Sequence, residues 1–169
     1  LEADDEIAAL FLEPTGASWG RLPLRPEFLH ELREVTAKHG VLLVFDEVIC
    51  GFRVSPGGAQ GEFGVTPDLT TLAKIVAGGL PGGAVAGRRD VLDLLDFEAT
   101  KAAGKEKILH FGTFNANPLT MAAGEATMLH LTPDVYDRLN GLGEMIRAKL
   151  RAVFDELDVP SQITGIASF

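Results

Sequence analysis

Along the 169-residue chain, short solid apolar runs give way to stripes of apolar residues spaced three and four apart, and this order predicts an α/β fold. Ile7 to Leu12 is a continuous apolar run closed by Glu13-Pro14, and reads as a strand buried on both faces. Residues 14–25, rich in Gly and Pro, read as a loop. Pro26 then opens a helix with Phe28, Leu29, Leu32 and Val35 on one face and Gly40 at its end. Val41 to Phe45 follows as a second buried strand. Strand, helix and strand in that order imply a right-handed parallel unit.

Beyond it, residues 51–68 form a long glycine-rich connection, and Leu69–Ala73 and Ala84–Ala86 read as further strands. Arg88 to Asp96 reads as a short helix, and the polar residues 98–107 as a surface loop. Asn117-Pro118 supplies an N-cap and a first-turn proline for a helix ending near Leu131. Thr132-Pro133 repeats the device. The helix it opens sets Val135, Leu139, Leu142, Ile146, Leu150, Phe154 and Leu157 on one side, and Glu144, Arg147, Lys149 and Arg151 on the solvated side. Residues 162–169 begin to read as another strand. The composition changes most sharply near residue 132, which divides the chain into residues 1–131 and 132–169.

Composition narrows the function classes. Fifteen basic against 24 acidic residues give a net charge of −9, which argues against nucleic-acid backbones and anionic membrane surfaces as partners. No apolar run approaches membrane-spanning length. Cys50 is the single cysteine, so no internal disulfide forms, and a reducing compartment such as the cytoplasm is expected. The chain begins at Leu1 without a methionine and stops inside a strand-like run, so a piece of a longer protein is expected.

Lys74 stands out because its neighbours are small or apolar on both sides, which should enclose its stem. An amine in such surroundings can lose its proton and act as a nucleophile. The other reading is an ordinary solvated lysine or an edge-blocking one. Asp46 and Glu47 close a buried strand, where open α/β sheets bind ligands; alternatively both bind backbone N–H groups. Gly112-Thr113-Phe114-Asn115-Ala116-Asn117-Pro118 is a loop entering a helix. It suits a phosphate or, equally, is a plain helix cap at Asn117. His30, His39, His110 and His130 have no metal-ligand spacing, so no metal is expected. Cys50 reads as a small buried hydrophobe. Gly78 to Gly83 is no dinucleotide fingerprint.

Taken together, Leu43-Val44-Phe45-Asp46-Glu47-Val48, Gly51-Phe52-Arg53 and Pro67-Asp68 through Lys74 to Gly78-Gly79 resemble the signature of the class III aminotransferases. Gly112-Thr113 with Asn117-Pro118-Leu119-Thr120-Met121-Ala122-Ala123-Gly124 resembles a second block of that family, and the likeness is closest to its glutamate-1-semialdehyde 2,1-aminomutase group. The resemblance implies the type I pyridoxal-phosphate fold, with residues 1–131 belonging to the large cofactor-binding domain and 132–169 opening the small C-terminal domain. It implies pyridoxal 5'-phosphate as cofactor, a small amino substrate, and a homodimer with shared active sites. By position, Lys74 would hold the cofactor as a Schiff base and pass protons between substrate carbons. Asp46 would pair with the pyridinium nitrogen, Val48 would pack under the ring, and Thr113 would reach the cofactor phosphate of the neighbouring subunit.

One departure narrows the expectation. Many ornithine- and ω-amine-type members carry a second glutamate after Glu13-Pro14 where this chain has Ser18, so an aminomutase or a β-amino-acid transaminase is expected instead. The family's upstream phosphate loop and ring-stacking aromatic would precede Leu1, so the 169 residues by themselves are expected to show no turnover.

Overall fold

The computed structural model describes residues 6–16, 22–25 and 27–169. Pro26 and Ser18 therefore lie outside the described residues. Four strands form one sheet in the order β1 (Ala9–Leu12), β2 (Leu42–Glu47), β3 (Leu69–Ala73) and β4 (Gly83–Gly87). The first three are parallel and β4 runs antiparallel to β3. Helix α1 (Phe28–Lys38) makes the crossover between β1 and β2.

Strand alternation decides what each face of the sheet does. Leu43 and Phe45 turn to the side of α1 and are fully buried, packed with Leu29, Leu32 and Val65. Each such side chain contributes about 1.5–3 kcal/mol on leaving water. Asp46, one residue on from Phe45, faces the other way, and Glu47 faces the core again. β1 is not enclosed on both faces as its solid apolar run predicts. Leu10 and Leu12 join the core, while Phe11 remains 58% exposed, because among the described residues β1 pairs only with β2 and packs on α1 through its other face.

Asp68 pins the opposite end of the sheet. Its carboxylate accepts the Leu43 N–H at 2.7 Å, Arg33 Nη1 at 2.8 Å and Arg88 Nη1 at 2.9 Å, joining β2, α1 and the segment after β4. Burial would push this carboxyl up, but the Leu43 N–H and the two guanidiniums outweigh it and hold it below the usual carboxylate range.

Other elements depart from expectation for local reasons. Residues 51–68 contain α2 (Gly58–Phe63). The Arg88–Asp96 helix divides into α3 (Arg89–Leu92) and a 3-10 turn, Asp93–Leu95. Part of the expected surface loop is helix α4 (Phe97–Ala102), because the Asp96 side chain caps it by accepting the Ala99 N–H. Asn117 caps α5 (Pro118–His130) through the Leu119 and Thr120 N–H groups, as its sequence position predicts. The last helix, α6 (Pro133–Glu156), meets the sheet domain through Tyr136, whose hydroxyl donates to the Phe52 carbonyl at 2.9 Å. Residues 162–169 form no strand. Ile166 and Phe169 exchange backbone hydrogen bonds in a tight turn, and their side chains pack beside Cys50, Val54 and Ala59.

Candidate active site

At the carboxyl ends of β2 and β3, Asp46, Val48 and Lys74 line one cavity of about 210 Å³. Glu13 and Thr15, just past β1, and Ile49 and Cys50, just past β2, complete its wall. Three of the four predicted site residues thus come together. Thr113 does not join them: it lies on the exposed segment before α5.

Asp46 is half-buried. Its Oδ1 accepts the Val48 N–H at 3.0 Å and lies 3.4 Å from the Thr71 hydroxyl, so the carboxylate closes a local turn and faces the cavity at once. Glu47 has a separate task. It is 1% exposed and accepts the Ala59 N–H at 2.6 Å, anchoring the start of α2. Gly58 has φ +63°, and a Cβ there would collide with the Glu47 carboxylate, so glycine is required for this approach. Burial raises the Glu47 pKa above its ordinary value, against the lowering effect of its hydrogen bonds to residues 59 and 60 and to Cys50. The Cys50 thiol is pushed up to about 12 by burial and by the Glu47 carboxyl. It is an inert apolar wall, as expected for a small buried hydrophobe.

Lys74 departs from the expected enclosure: it is exposed. The cause is its backbone. Its φ is +51°, in the left-handed region. Continued alternation would send position 74 to the same face as Thr70 and Leu72, away from Asp46. Relative to the roughly −120° of a parallel strand, φ +51° swings the Cβ by about 170° about the N–Cα bond. The side chain therefore turns onto the Asp46 face, and the chain enters a 3-10 turn, Lys74–Ala77. That turn is held by α5: Gly78 and Gly124 let the two backbones touch where any Cβ would collide with Ala123 or the Val76 carbonyl.

Glu13, Thr15 and Thr71 were not anticipated. Glu13 follows Leu12, which pairs with Phe45 just before Asp46, so the same rule reaches it once β1 is placed beside β2. Thr71 becomes visible only through the β2–β3 register, which pairs it with Asp46. Among the described residues no group of three or more His, Cys, Asp or Glu is arranged to hold a metal ion. Nor is any described helix long and apolar enough to cross a membrane.

A mixed sheet with a carboxylate and a lysine on one wall beyond its parallel strands defines an α/β protein with an amine-and-acid site. The chain belongs to the class III aminotransferase family, whose model matches residues 1–169. It is 42% identical over 166 residues to glutamate-1-semialdehyde 2,1-aminomutase 2 of Lachnoclostridium phytofermentans, covering 97% of this chain and 37% of that protein. The chain thus spans little more than a third of that relative's length. Among solved structures, the β-phenylalanine aminotransferase of Variovorax paradoxus is 41% identical with a TM-score of 0.85, covering 96% of this chain and 36% of that one. A transaminase with PLP bound is 35% identical with a TM-score of 0.87, covering 96% and 37%. The α/β architecture is accordingly a portion of the transaminase fold.

Proposed function

We propose that this chain carries the amine-and-carboxylate wall of a pyridoxal-phosphate site and serves amino-group transfer of the glutamate-1-semialdehyde 2,1-aminomutase type. The observation that carries this reading is the cavity shared by Lys74 and Asp46. The donor set fits the cofactor: an amine for its aldehyde carbon and an anionic oxygen for its ring nitrogen. When bound, pyridoxal phosphate supplies an electron sink that stabilises negative charge on a substrate carbon. Lys74 would hold the cofactor through Nζ and would be the group that takes and returns a proton at the substrate carbons. Asp46 would hold the ring nitrogen in its protonated form, since an anion beside it favours the charged form. Val48, which lines the same cavity, would pack under the ring.

Thr113 acts across a subunit boundary in this proposal, donating its hydroxyl to the cofactor phosphate bound by a second copy. Its exposure outside the Lys74 cavity supports that role. So do the outward-facing side chains around it: Ile108, Leu109, Phe111 and Phe114 are 52–83% exposed, an apolar surface fit for a homodimer contact. The same proposal assigns residues 1–131 to a cofactor-binding domain and 132–169 to the start of a second one, supported by the Thr132-Pro133 break ahead of α6. The single buried thiol supports a reducing, cytoplasmic setting.

The test uses the protein expressed from its complete reading frame. Supplied with glutamate-1-semialdehyde and no keto acid, it is expected to yield the isomer with the amino group on the adjacent carbon. Lys74→Ala is expected to abolish both this and the spectral change of added pyridoxal phosphate. A second reading, transamination of a β-amino acid, is favoured by the 41% identity to the β-phenylalanine aminotransferase. Turnover that requires an added keto acid would replace the first reading with the second.

A further inference from the structure

We propose that Thr71 is a positioning residue that fixes which oxygen of Asp46 meets the cofactor. This rests on the pyridoxal-phosphate reading above and extends it to a residue outside the cavity wall. The parallel register sets Thr71 directly beside Asp46, and alternation puts both on the face away from the Leu43–Phe45 core. Two donors then converge on one atom, Asp46 Oδ1: the Val48 N–H at 3.0 Å and the Thr71 hydroxyl at 3.4 Å. Among the described residues no donor to Oδ2 is seen. Oδ2 is thus the oxygen left for a ligand's N–H.

The two donors are not equivalent. Val48 lies two residues beyond Asp46 in the same turn, so its N–H moves with the carboxylate. Thr71 approaches from the neighbouring strand, three residues ahead of Lys74, and ties the carboxylate to the strand that carries the amine. A β-branched side chain has few rotamers, so its hydroxyl is aimed before any ligand arrives. The adjacent Thr70 is the internal contrast: its hydroxyl faces the other side of the sheet, 3.4 Å from Gln60 Nε2 on α2.

The experiment compares wild type, Thr71→Val, Thr71→Ser and Thr70→Val, each expressed from the complete reading frame and titrated with pyridoxal phosphate. Thr71→Val is expected to weaken cofactor binding about tenfold, the size of one hydrogen bond to a charged group. Its pH-dependent spectral transition is expected at higher pH, because a less firmly protonated ring repels the proton on the Lys74 nitrogen less. Thr71→Ser should restore both quantities to within about twofold of wild type, and Thr70→Val should leave the transition where it is. If Thr71→Val does not fold, Thr71→Ala against Thr71→Ser isolates the hydroxyl. Wild-type affinity and an unmoved transition in the hydroxyl-free variant would overturn the role of Thr71 while leaving the cofactor reading intact. A wild-type protein whose pyridoxal-phosphate spectrum is indifferent to Lys74→Ala would overturn both.

Discussion

Asp46 and Lys74 share a cavity wall within one chain, whereas Thr113 stands on a segment whose large apolar side chains face outward with it. Both regions carry motifs of the same family, yet they are built differently. The first is set by the sheet: register fixes Asp46, and a left-handed turn held by α5 fixes Lys74. The second is a capped loop that leads into α5 and exposes what it carries. Lys74 and Thr113 are both exposed, so what separates them is the cavity: Lys74 lines the one that holds Asp46, and Thr113 does not.

The sharpest way to break this comparison is to separate the two regions genetically. Lys74→Ala alone is expected to lower turnover by at least about a thousandfold, as loss of a covalent nucleophile does. Thr113→Asp, which would set a negative charge against a cofactor phosphate if Thr113 holds one, should also be severely impaired. If Thr113 serves the partner's site, co-expressing the two variants gives mixed dimers with one intact site each. About a quarter of wild-type activity should return, by random pairing in a two-fold dimer. Activity no higher than that of the separate variants would place Thr113 and Lys74 in the same chain's site.

Next in size is the pin beneath the first region. Asp68→Asn is expected to cost about 3 kcal/mol in denaturant unfolding, because it leaves the part-buried Arg33 without its anion. Arg88 is half exposed, so Arg88→Met should cost less than Arg33→Met. The Asp68 carboxyl is held below its ordinary value, so its stabilisation is complete above the unfolded carboxylate range and is lost as pH falls through the lowered folded value. Wild type should therefore lose its advantage over Asp68→Asn in acid. Equal stability of the two at neutral pH would remove the pin from the account.

Smaller is the strain at position 74. Lys74→Gly and Lys74→Ala both remove the amine, but only glycine relieves a positive φ. The glycine variant should be more stable by about 1 kcal/mol. Equal melting temperatures would mean that the turn carries no strain. Glu47 offers the smallest effect, and one of opposite sign to Asp68. Its folded pKa is raised, so its stabilising share is present below the unfolded value and lost as pH rises through the folded one. Glu47→Gln should thus gain on wild type between acid and neutral pH, measured as the difference in unfolding free energy.

Much of the fold was legible because its signals are local. β2, β3 and the two long helices follow from apolar runs and from the Asn117-Pro118 and Thr132-Pro133 starts. Asp46, Val48 and Lys74 were legible from motif order, and they meet at one cavity. What local pattern did not reveal depends on partners. Phe11 looks like core until β1 is seen to pack on α1 through its other face. Ile166 and Phe169 look like a strand, but they close a turn and pack near Cys50. The exposure of Lys74 hangs on one dihedral angle that its apolar neighbours do not encode.

That dihedral has a bearing on protein engineering. Most side chains on a sheet are addressed by parity, odd positions to one face and even to the other. Lys74 is addressed by a hinge instead, and reaches the odd-numbered face from an even position. That hinge is packed against α5, where Gly78 and Gly124 let the backbones touch. Moving the lysine to position 73 would recover the face while keeping the strand straight. An amine at position 74 therefore depends on the helix that bends its backbone, whereas one at an odd position of β3 would not.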